Sequence, residues 1–180
     1  MHPVLDLITI DDTLEALALR AALEWWGFQV RLHLIGKAQD LVDLMSPGDR
    51  LSNTLFLMCH GDERGIRLPE LGAEIESAQP YHGAVRPSDV AVFARLPGRV
   101  AISTGCATGT PAFAEAWLGA GCRAYIGPDG YPHGDASLFY GLHLSYAWLC
   151  RGRPLAEAHA LASAHDAETR LFRLYEATAA

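Results

Sequence analysis

The chain contains 180 residues, half of them hydrophobic, and carries a formal net charge of −7 at pH 7. This length suits one domain with a sizeable core, which we expect to span residues 1–180. The acidic balance argues against nucleic-acid binding, because attraction to phosphate needs clustered lysine and arginine. No apolar run is long enough to cross a bilayer, and the amino terminus lacks the features of a secretory signal. We therefore expect a cytoplasmic protein with no membrane partner.

The cysteines form neither a metal-binding nor a disulfide pattern. They stand far apart in the chain, at Cys59, Cys106, Cys122 and Cys150. No two have CxxC spacing, and the chain is not rich in cysteine. In a reducing compartment we expect four free thiols. Cys59, Cys122 and Cys150 are interpreted as small apolar side chains of the core.

The first half of the chain alternates apolar runs with helical patterns. We predict a strand over 4–10, a helix over 14–25, an outer strand over 28–34, a helix over 37–45 and a strand that ends at His60. Asp11 and Asp12 offer oxygens that cap the first helix, and Gly27 suits its end. That helix carries apolar residues at helical spacing: Leu14, Leu17, Ala18, Ala21, Ala22 and Trp25. The tryptophans, in apolar helical settings, are expected in the core: Trp25, Trp26, Trp117 and Trp148.

The second half continues the alternation after a less regular stretch. We predict a hairpin near 65–69, a loop over 77–84, a helix over 87–96 and a strand that ends just before Cys106. A helix over 111–118, a strand over 123–126, a loop over 127–134 and helices over 136–149 and 155–175 follow. This order predicts an α/β fold, in which helices cover both faces of a mostly parallel sheet of four or five strands.

Two of the apolar runs end in reactive side chains. One leads into His60 and Gly61, and the other leads into the run Gly-Cys-Ala-Thr-Gly around Cys106. The carboxyl ends of parallel strands meet at one edge of a sheet, where α/β proteins bind ligands. If these two strands are neighbours, His60 and Cys106 emerge together. They then have the residue types of the base and nucleophile of a cysteine hydrolase.

The surroundings of Cys106 favour an exposed nucleophile over the more common buried structural cysteine. Gly105 and Gly109 allow a tight turn between a strand and a helix. The amino terminus of that helix is expected to favour the thiolate, and the turn can aim backbone N–H groups at a developing oxyanion. Gly61 lets a substrate approach the imidazole of His60, although a lone histidine after a strand is more often a satisfied polar group.

Two rival interpretations involve metals. Asp11 and Asp12 form an acidic pair of the kind that binds a divalent metal in receiver domains. Such domains also need an aspartate after the third strand and a lysine after the last, whereas Lys37 is the only lysine. The pair is therefore interpreted as helix-capping. Cys59, His60 and Cys106 have the chemistry of zinc ligands. However, neighbouring residues of a strand point to opposite sides, which makes ligation by both Cys59 and His60 awkward.

The chain resembles the caspase-like cysteine peptidases, and within them the CHAT domains most. Ser103-Thr-Gly-Cys106-Ala-Thr-Gly109 resembles their Ser-Ala-Cys-x-Thr-Gly motif, with one additional residue. Residues 113–127 resemble the helix and strand that follow the nucleophile. Residues 132–135 and 138–140 resemble the next loop and helix, and residues 152–158 resemble the start of the terminal helix. The resemblance covers about residues 53–165.

This resemblance implies a caspase-hemoglobinase fold and a cysteine endopeptidase acting on a protein or peptide substrate. It assigns His60 as the catalytic imidazole, Cys106 as the nucleophile, and the backbone N–H groups of Gly61 and Cys106 as the oxyanion hole. It requires no metal or organic cofactor. The alternative is an inactive caspase-like module that binds a partner protein, and a regulatory protein partner suits either interpretation.

The expected side-chain preference of such a peptidase follows from the loop over 127–135. In a parallel sheet, the loop after the strand next to Cys106 is well placed to line a substrate pocket. It contains Asp129 and Asp135 but no lysine or arginine. Carboxylates pair with a basic side chain and repel an acidic one, which predicts cleavage after Arg or Lys. Ordinary turn roles for both aspartates are the alternative, and Asp135 is also placed to cap the next helix.

Overall fold

The computed structural model, which describes residues 3–11, 13–47 and 50–178, contains a large sheet, a small sheet and helices between the strands. The strands are β1 (Val4–Ile10), β2 (Gln29–Ile35), β3 (Thr54–Cys59), β4 (Gly61–Asp62), β5 (Gly65–Arg67), β6 (Ala84–Val85), β7 (Val100–Ser103), β8 (Ala124–Pro128) and β9 (Phe172–Glu176). The α-helices are α1 (Thr13–Trp25), α2 (Ala38–Met45), α3 (Ala73–Ser77), α4 (Pro87–Phe93), α5 (Pro111–Gly119), α6 (Gly134–Ser145) and α7 (Leu155–Ser163). A π-helical segment over Tyr146–Cys150 extends α6, and a 3-10 turn over Thr169–Leu171 precedes β9.

The large sheet has the strand order β2-β1-β3-β7-β8-β9. The first five strands of this order run parallel, and β9 pairs antiparallel with β8. The predicted α/β fold with a mostly parallel sheet is therefore confirmed, with six strands where four or five were expected. The small sheet, β4-β5-β6, is antiparallel, and the hairpin formed by β4 and β5 begins at Gly61, four residues before the predicted one.

The large sheet separates two hydrophobic clusters, one on each face. One cluster contains Leu41 of α2, Val90 of α4 and Trp117 of α5. The other contains Leu19 of α1 and Tyr140 of α6, together with side chains of α7. Every residue of β3 is buried, as expected for a parallel strand covered on both faces. This burial explains why β3 reads as a continuous apolar run in the sequence.

A buried carboxylate stabilises the sheet at the end away from the carboxyl ends of the strands. The side chain of Asp6 in β1 is fully buried. It accepts hydrogen bonds from Arg31 at 2.7 Å and from the backbone N–H of Ser52 at 2.5 Å, and lies 2.7 Å from Nε2 of His33. Burial raises the pKa of Asp6, but the bonds to His33, Arg31 and Ser52 outweigh it and hold the pKa well below 3.8.

The first helix forms where predicted, but it buries a different face. Ala16, Leu19 and Leu23 are its buried residues. Leu14 and Trp25, which belong to the apolar series seen in the sequence, are 82% and 85% exposed. The expectation that Trp25 lies in the core is therefore wrong, whereas Trp117 is buried, and Trp26 and Trp148 are half-buried. The sequence offers two apolar faces on this helix, and packing against the sheet selects the second.

The predicted helix over 155–175 is wrong in its second half. α7 ends at Ser163, and the chain returns as β9 along the open edge of β8. Phe172 stacks on Tyr140 with a centroid distance of 3.8 Å. Local propensity favours a helix in this segment, but the unpaired backbone of β8 and the buried ring of Phe172 outweigh it.

Shorter elements also depart from the sequence expectations. α3 occupies 73–77, just before the predicted loop, and buries no side chain, so it leaves no apolar pattern. α6 begins at Gly134 rather than Ala136, with His133 as its N-cap. Asp12, predicted to cap α1, lies outside the described residues. Among the described helices, none combines the length and the apolar character needed to cross a bilayer.

Candidate active site

The candidate site lies at the carboxyl edge of the central strands. β1, β3 and β7 are parallel neighbours, so the residues that follow them reach the same edge. Asp11 follows β1, His60 follows β3, and Cys106 lies in the turn after β7. The pairing of β3 with β7 confirms the adjacency that a joint site of His60 and Cys106 requires.

A tight turn presents Cys106. The N–H of Thr108 donates to the carbonyl oxygen of Gly105 at 3.3 Å, which places Cys106 and Ala107 at the turn's centre. The hydroxyl of Thr108 donates to the same carbonyl at 2.6 Å and lies 2.8 Å from Oγ of Ser103. Ala107 has a φ of 56°, a conformation that alanine rarely adopts. Residues held in such backbone conformations cluster at functional sites.

The segments that carry His60 and Cys106 are in contact. A Cβ atom added to Gly61 would lie 2.1 Å from the carbonyl oxygen of Cys106, so only glycine fits there. A Cβ atom added to Gly105 would lie 2.7 Å from Sγ of Cys59. Gly105 therefore gives room to the buried thiol of Cys59, which also lies 3.8 Å from Oγ of Ser103. Both glycines allow backbone to approach backbone at the site.

The backbone N–H of Gly61 points away from its own small sheet. Gly61 pairs with Ile66, and the N–H of Arg67 donates to the carbonyl oxygen of His60 at 2.9 Å. This register makes Gly61 and Ile66 a non-hydrogen-bonded pair, whose N–H groups point away from the partner strand. β4 is the outer strand of the order β4-β5-β6. The N–H of Gly61 is consequently directed away from β5, as a donor in an oxyanion hole needs to be.

The thiol of Cys106 is half-buried rather than activated. Its Sγ lies 3.8 Å from the carbonyl oxygen of Pro132. Burial raises the pKa of the Cys106 thiol, and the negative charge of Glu15 raises it further. α5 begins at Pro111, five residues after Cys106. The thiolate that was predicted from this helix start is not favoured, because burial makes the net shift of the Cys106 pKa upward.

The other thiols differ in exposure. Cys59 and Cys122 are buried, as predicted, and burial raises the pKa of Cys122 to about 12. Cys150 is exposed at the end of the π-helical segment, so its predicted place in the core is wrong. Any test of thiol reactivity at Cys106 has to remove Cys150 first.

The imidazole of His60 is exposed and lines a cleft of about 570 Å³ together with Asp11, Arg67 and Glu70. Within the described part of the chain, no hydrogen bond joins this imidazole to Sγ of Cys106. Catalytic hydrogen bonds are often long in unliganded enzymes and shorten when substrate binds. Nor do the described residues contain a group of three or more His, Cys, Asp or Glu side chains placed to hold a metal ion.

The loop after β8 lies against the Cys106 turn. The N–H of Ala107 donates to the carbonyl oxygen of Gly130 at 2.7 Å. Asp129 of this loop lies 3.9 Å from Arg173 of β9, with its side chain half-exposed. Asp135, the other predicted pocket residue, lies in the first turn of α6 and is exposed. Asp129 thus lies near a cation of β9, whereas Asp135 lies at the start of a helix.

Three residues that border the candidate site were not predicted from the sequence to have a role in it: Asp11, Glu63 and Tyr131. Asp11, interpreted there as a helix cap, lines the cleft with His60 and has a φ of 62°. The hydroxyl of Tyr131 donates to Glu63, which joins the loop after β8 to the hairpin after His60. This hydrogen bond raises the pKa of Tyr131 to about 12. The positive φ of Asp11 leaves no signal in the sequence, and the pairing of Tyr131 with Glu63 spans 68 residues.

Solved structures similar to this chain include gingipain R and separase. Gingipain R, described as an Arg specific cysteine proteinase, aligns with 97% of this chain and 46% of its own, at 12% identity and a TM-score of 0.62. Saccharomyces cerevisiae separase, solved with securin, aligns with 98% of this chain and 12% of its own, at 11% identity and a TM-score of 0.65. The complex of the Porphyromonas gingivalis RgpB pro- and mature domains also matches, at 12% identity and a TM-score of 0.62.

These similarities define the class of fold as that of the caspase-like cysteine proteinases, as the sequence resemblance predicted. The chain spans less than half of gingipain R and about an eighth of separase, and identities this low show the fold alone. No protein-family model and no curated protein sequence matches the chain. The closer relation to CHAT domains therefore stays a prediction.

Proposed function

We propose that the chain is a cysteine endopeptidase in which Cys106 is the nucleophile and His60 the general base and acid. The observation that carries the proposal is the contact between Gly61 and the carbonyl oxygen of Cys106, which ties the two reactive strand ends together. A protein or peptide is the substrate, and cytoplasmic action is part of the proposal. The caspase-like fold supports this reaction class, because its structural neighbours include proteinases that use a cysteine.

The mechanism starts from a thiol, because burial raises the pKa of Cys106. When substrate displaces water, His60 takes the proton from Sγ and the thiolate attacks the scissile carbonyl carbon. The N–H groups of Gly61 and Cys106 stabilise the negative oxygen that develops. His60 then gives its proton to the leaving amine, which leaves a thioester on Cys106. Water, deprotonated by His60, hydrolyses the thioester and restores the free thiol.

The first prediction is that Cys106→Ala and His60→Ala each reduce peptide hydrolysis by at least about 1,000-fold, because nucleophile and base act as one unit. Turnover of a mixed fluorogenic peptide library measures the effect, and circular dichroism checks the fold. Cys150→Ala and His82→Ala, which replace an exposed residue of each type away from the site, are matched controls with unchanged rates. Wild-type turnover by folded Cys106→Ala contradicts the mechanism.

The alternative is a non-catalytic module that binds a partner protein. Two observations favour it: the raised pKa of Cys106 and the lack of a hydrogen bond between the described side chains of His60 and Cys106. A peptide probe with an electrophilic carbonyl group separates the two functions. Under the peptidase proposal it labels Cys106 faster than a small alkylating agent of equal intrinsic reactivity, and His60→Ala removes the difference. Equal rates at all peptide concentrations favour the binding module.

The second prediction concerns the residue before the cleaved bond. We propose cleavage after Arg or Lys, with Asp129 and Asp135 as the predicted pocket acids and Asp11 as a further carboxylate in the cleft. In the free protein Asp129 faces Arg173, so a basic substrate has to replace an internal cation. Arg173→Ala should therefore raise the preference for Arg over Leu severalfold, and Asp129→Ala should lower it.

A library with matched Arg, Lys, Asp and Leu positions measures this preference as ratios of kcat/KM. The matched control for Arg173→Ala is Arg153→Ala. Arg153 is an exposed arginine just before α7, and it pairs with Glu157. Preferred cleavage after Asp or Leu contradicts the proposed specificity. An unchanged preference in both Asp129→Ala and Arg173→Ala removes the role of Asp129 and leaves Asp11 and Asp135 to be tested in the same way.

A further inference from the structure

An apolar surface covers the side of α1 that faces away from the sheet. It consists of Leu14, Leu17, Ala18, Ala21 and Trp25, which we call the outer face of α1. These residues recur at helical spacing and are all exposed; Leu14 is 82%, Leu17 43% and Trp25 85% exposed. Isolated exposed apolar residues are common, but a continuous stripe along a helix marks an interaction surface.

α1 is apolar on two sides, which is unusual for a helix at the surface of a protein. Its inner face, Ala16, Leu19 and Leu23, already packs on the sheet. A surface helix normally carries polar residues on its other side, whereas a helix that is apolar all round is buried. In α1 the charged residues are Glu15, Arg20 and Glu24, and they flank the outer face instead of occupying it. The outer face therefore needs a covering element.

We propose that the outer face of α1 pairs with the same face of a second copy of this chain, with the two helices antiparallel. The argument is charge complementarity. Arg20 and Glu24 lie one turn apart on one flank of the face, 2.8 Å from each other, with side chains 39% and 43% exposed. In an antiparallel pair each flank meets the same flank of the second copy. Arg20 then lies opposite Glu24, and Glu24 opposite Arg20, so opposite charges meet at both positions of this flank.

The sizes of the side chains suit the same arrangement. A two-fold axis near Ala21 and Ala22 brings Arg20 and Glu24 into register across the interface. Alanines near that axis let the helix backbones approach closely, while Leu17 packs near Trp25 of the second copy. Leu17 and Trp25 thus contact each other on both sides of the axis, as a two-fold interface with self-complementary surfaces requires, and Leu14 extends past the end of the second copy's α1 at Trp25. This assembly goes beyond the proposed peptidase activity and does not depend on it.

The test measures the mass of the full chain by analytical ultracentrifugation over a range of protein concentrations. We expect a dimer whose dissociation constant rises at least tenfold in Leu17→Glu. Leu161→Glu on α7 is the matched control, because Leu161 is also a helical leucine and is 40% exposed against 43% for Leu17. It should leave the dimer unchanged. A wild-type chain that is monomeric at all concentrations means that a different protein covers the face, and overturns the proposal.

A charge-exchange experiment tests the antiparallel register. Arg20→Glu and Glu24→Arg should each weaken the dimer, because each puts like charges opposite one another. An equimolar mixture of the two variants should form a mixed dimer, since opposite charges then face each other at both positions. The bond between positions 20 and 24 within each helix remains broken in the mixture, so recovery arises only across the interface. Two variants that dimerise as the wild type does, or a mixture that stays as weak as its components, overturns the proposal.

Discussion

Cys106 lies half-buried in its turn, and its surroundings favour the protonated form of its sulfur. Burial against Pro132 raises its pKa, and the nearby carboxylate of Glu15 acts in the same direction. At a given pH a thiol with a raised pKa contains less thiolate than a free cysteine does. The free protein should therefore protect this sulfur from chance alkylation and oxidation, which both proceed through the thiolate.

A third prediction follows for the pH dependence of alkylation. In a Cys150→Ser background, labelling of Cys106 by iodoacetamide should be slow at pH 7. Its rate should rise with pH through a midpoint above 9.0, the ordinary value of the thiol. Cys59 and Cys122 should stay unlabelled while the protein is folded, because both are buried. Peptide mapping by mass spectrometry assigns the site. A midpoint below 9.0 for Cys106 means that an activating group outweighs burial.

Two glycines beside the candidate site are required by residues that lie far from them in the sequence. Gly61 has to lack a side chain because the carbonyl oxygen of Cys106 lies 2.1 Å from the position of its Cβ. At Gly105 a Cβ atom would lie 2.7 Å from Sγ of Cys59, so a larger residue would displace that thiol. The sequence shows these glycines beside reactive residues and so suggests tight turns. The atoms that exclude a larger residue come from another strand and become visible only in the fold.

At the scale of elements, apolar patterning predicted the parts of the fold that carry the candidate site. β1, β3 and β7 are buried on both faces and read as apolar runs, so their positions along the chain and the residues that follow them were predictable. The order of the sheet, β2-β1-β3-β7-β8-β9, was not predicted, because no motif in the sequence specifies which strands are neighbours. The sequence left open whether the strands before His60 and Cys106 are neighbours, and the structure shows that these strands, β3 and β7, are paired.

The sequence predicted less well those elements and loops whose structure depends on tertiary packing. α1 presents two apolar faces, and the sequence alone does not distinguish the face that packs on the sheet. β9 has helix-forming residues, and its strand conformation depends on the free edge of β8. Asp11, Glu63 and Tyr131 reach the site rim through loops, where side-chain contacts depend on tertiary packing and not on spacing.

A fourth prediction tests the attachment of β9 to the site. The hydroxyl of Tyr175 donates to the carbonyl oxygen of Gly109 at 2.7 Å, next to the Cys106 turn. Tyr175→Phe should lower the free energy of unfolding by about 1 kcal/mol, the usual net contribution of one hydrogen bond. Urea unfolding measures it. Tyr146→Phe is the matched control. Tyr146 is 47% exposed, and its hydroxyl forms no hydrogen bond with any of the described residues. An equal loss in both variants contradicts the assignment.

At the scale of the whole molecule, stability in acid depends on Asp6. This carboxylate joins β1 to β2 and to the segment before β3, and the bonds to it hold its pKa below 3.8. A group whose pKa is lower in the folded state stabilises the fold above the pKa of the unfolded state. That stabilisation is lost as the pH falls through the folded-state pKa. The chain should therefore lose stability progressively below about pH 4.

A fifth prediction uses Asp6→Asn. The change keeps the shape of the side chain but removes its charge, so we expect the free energy of unfolding at pH 7 to fall by about 2 kcal/mol. The difference from the wild type should shrink towards pH 3, as the wild-type chain loses its own stabilisation. Asp40→Asn is the control, because the Asp40 side chain is 39% exposed and lies 3.8 Å from Lys37. It should cost less than about 0.5 kcal/mol. A pH-independent difference for Asp6→Asn contradicts the argument.

β9 has a consequence for the order in which the site is completed as the chain is made. Ribosomes release the chain from its amino terminus, so β9 leaves after every other strand of the large sheet. Yet Tyr175 holds the turn that follows Cys106, and Arg173 faces Asp129 in the neighbouring loop. A nascent chain that has released both His60 and Cys106 still lacks these two contacts. Completion of the candidate site thus coincides with completion of the sheet, and a partly made chain holds the thiol of Cys106 without these contacts.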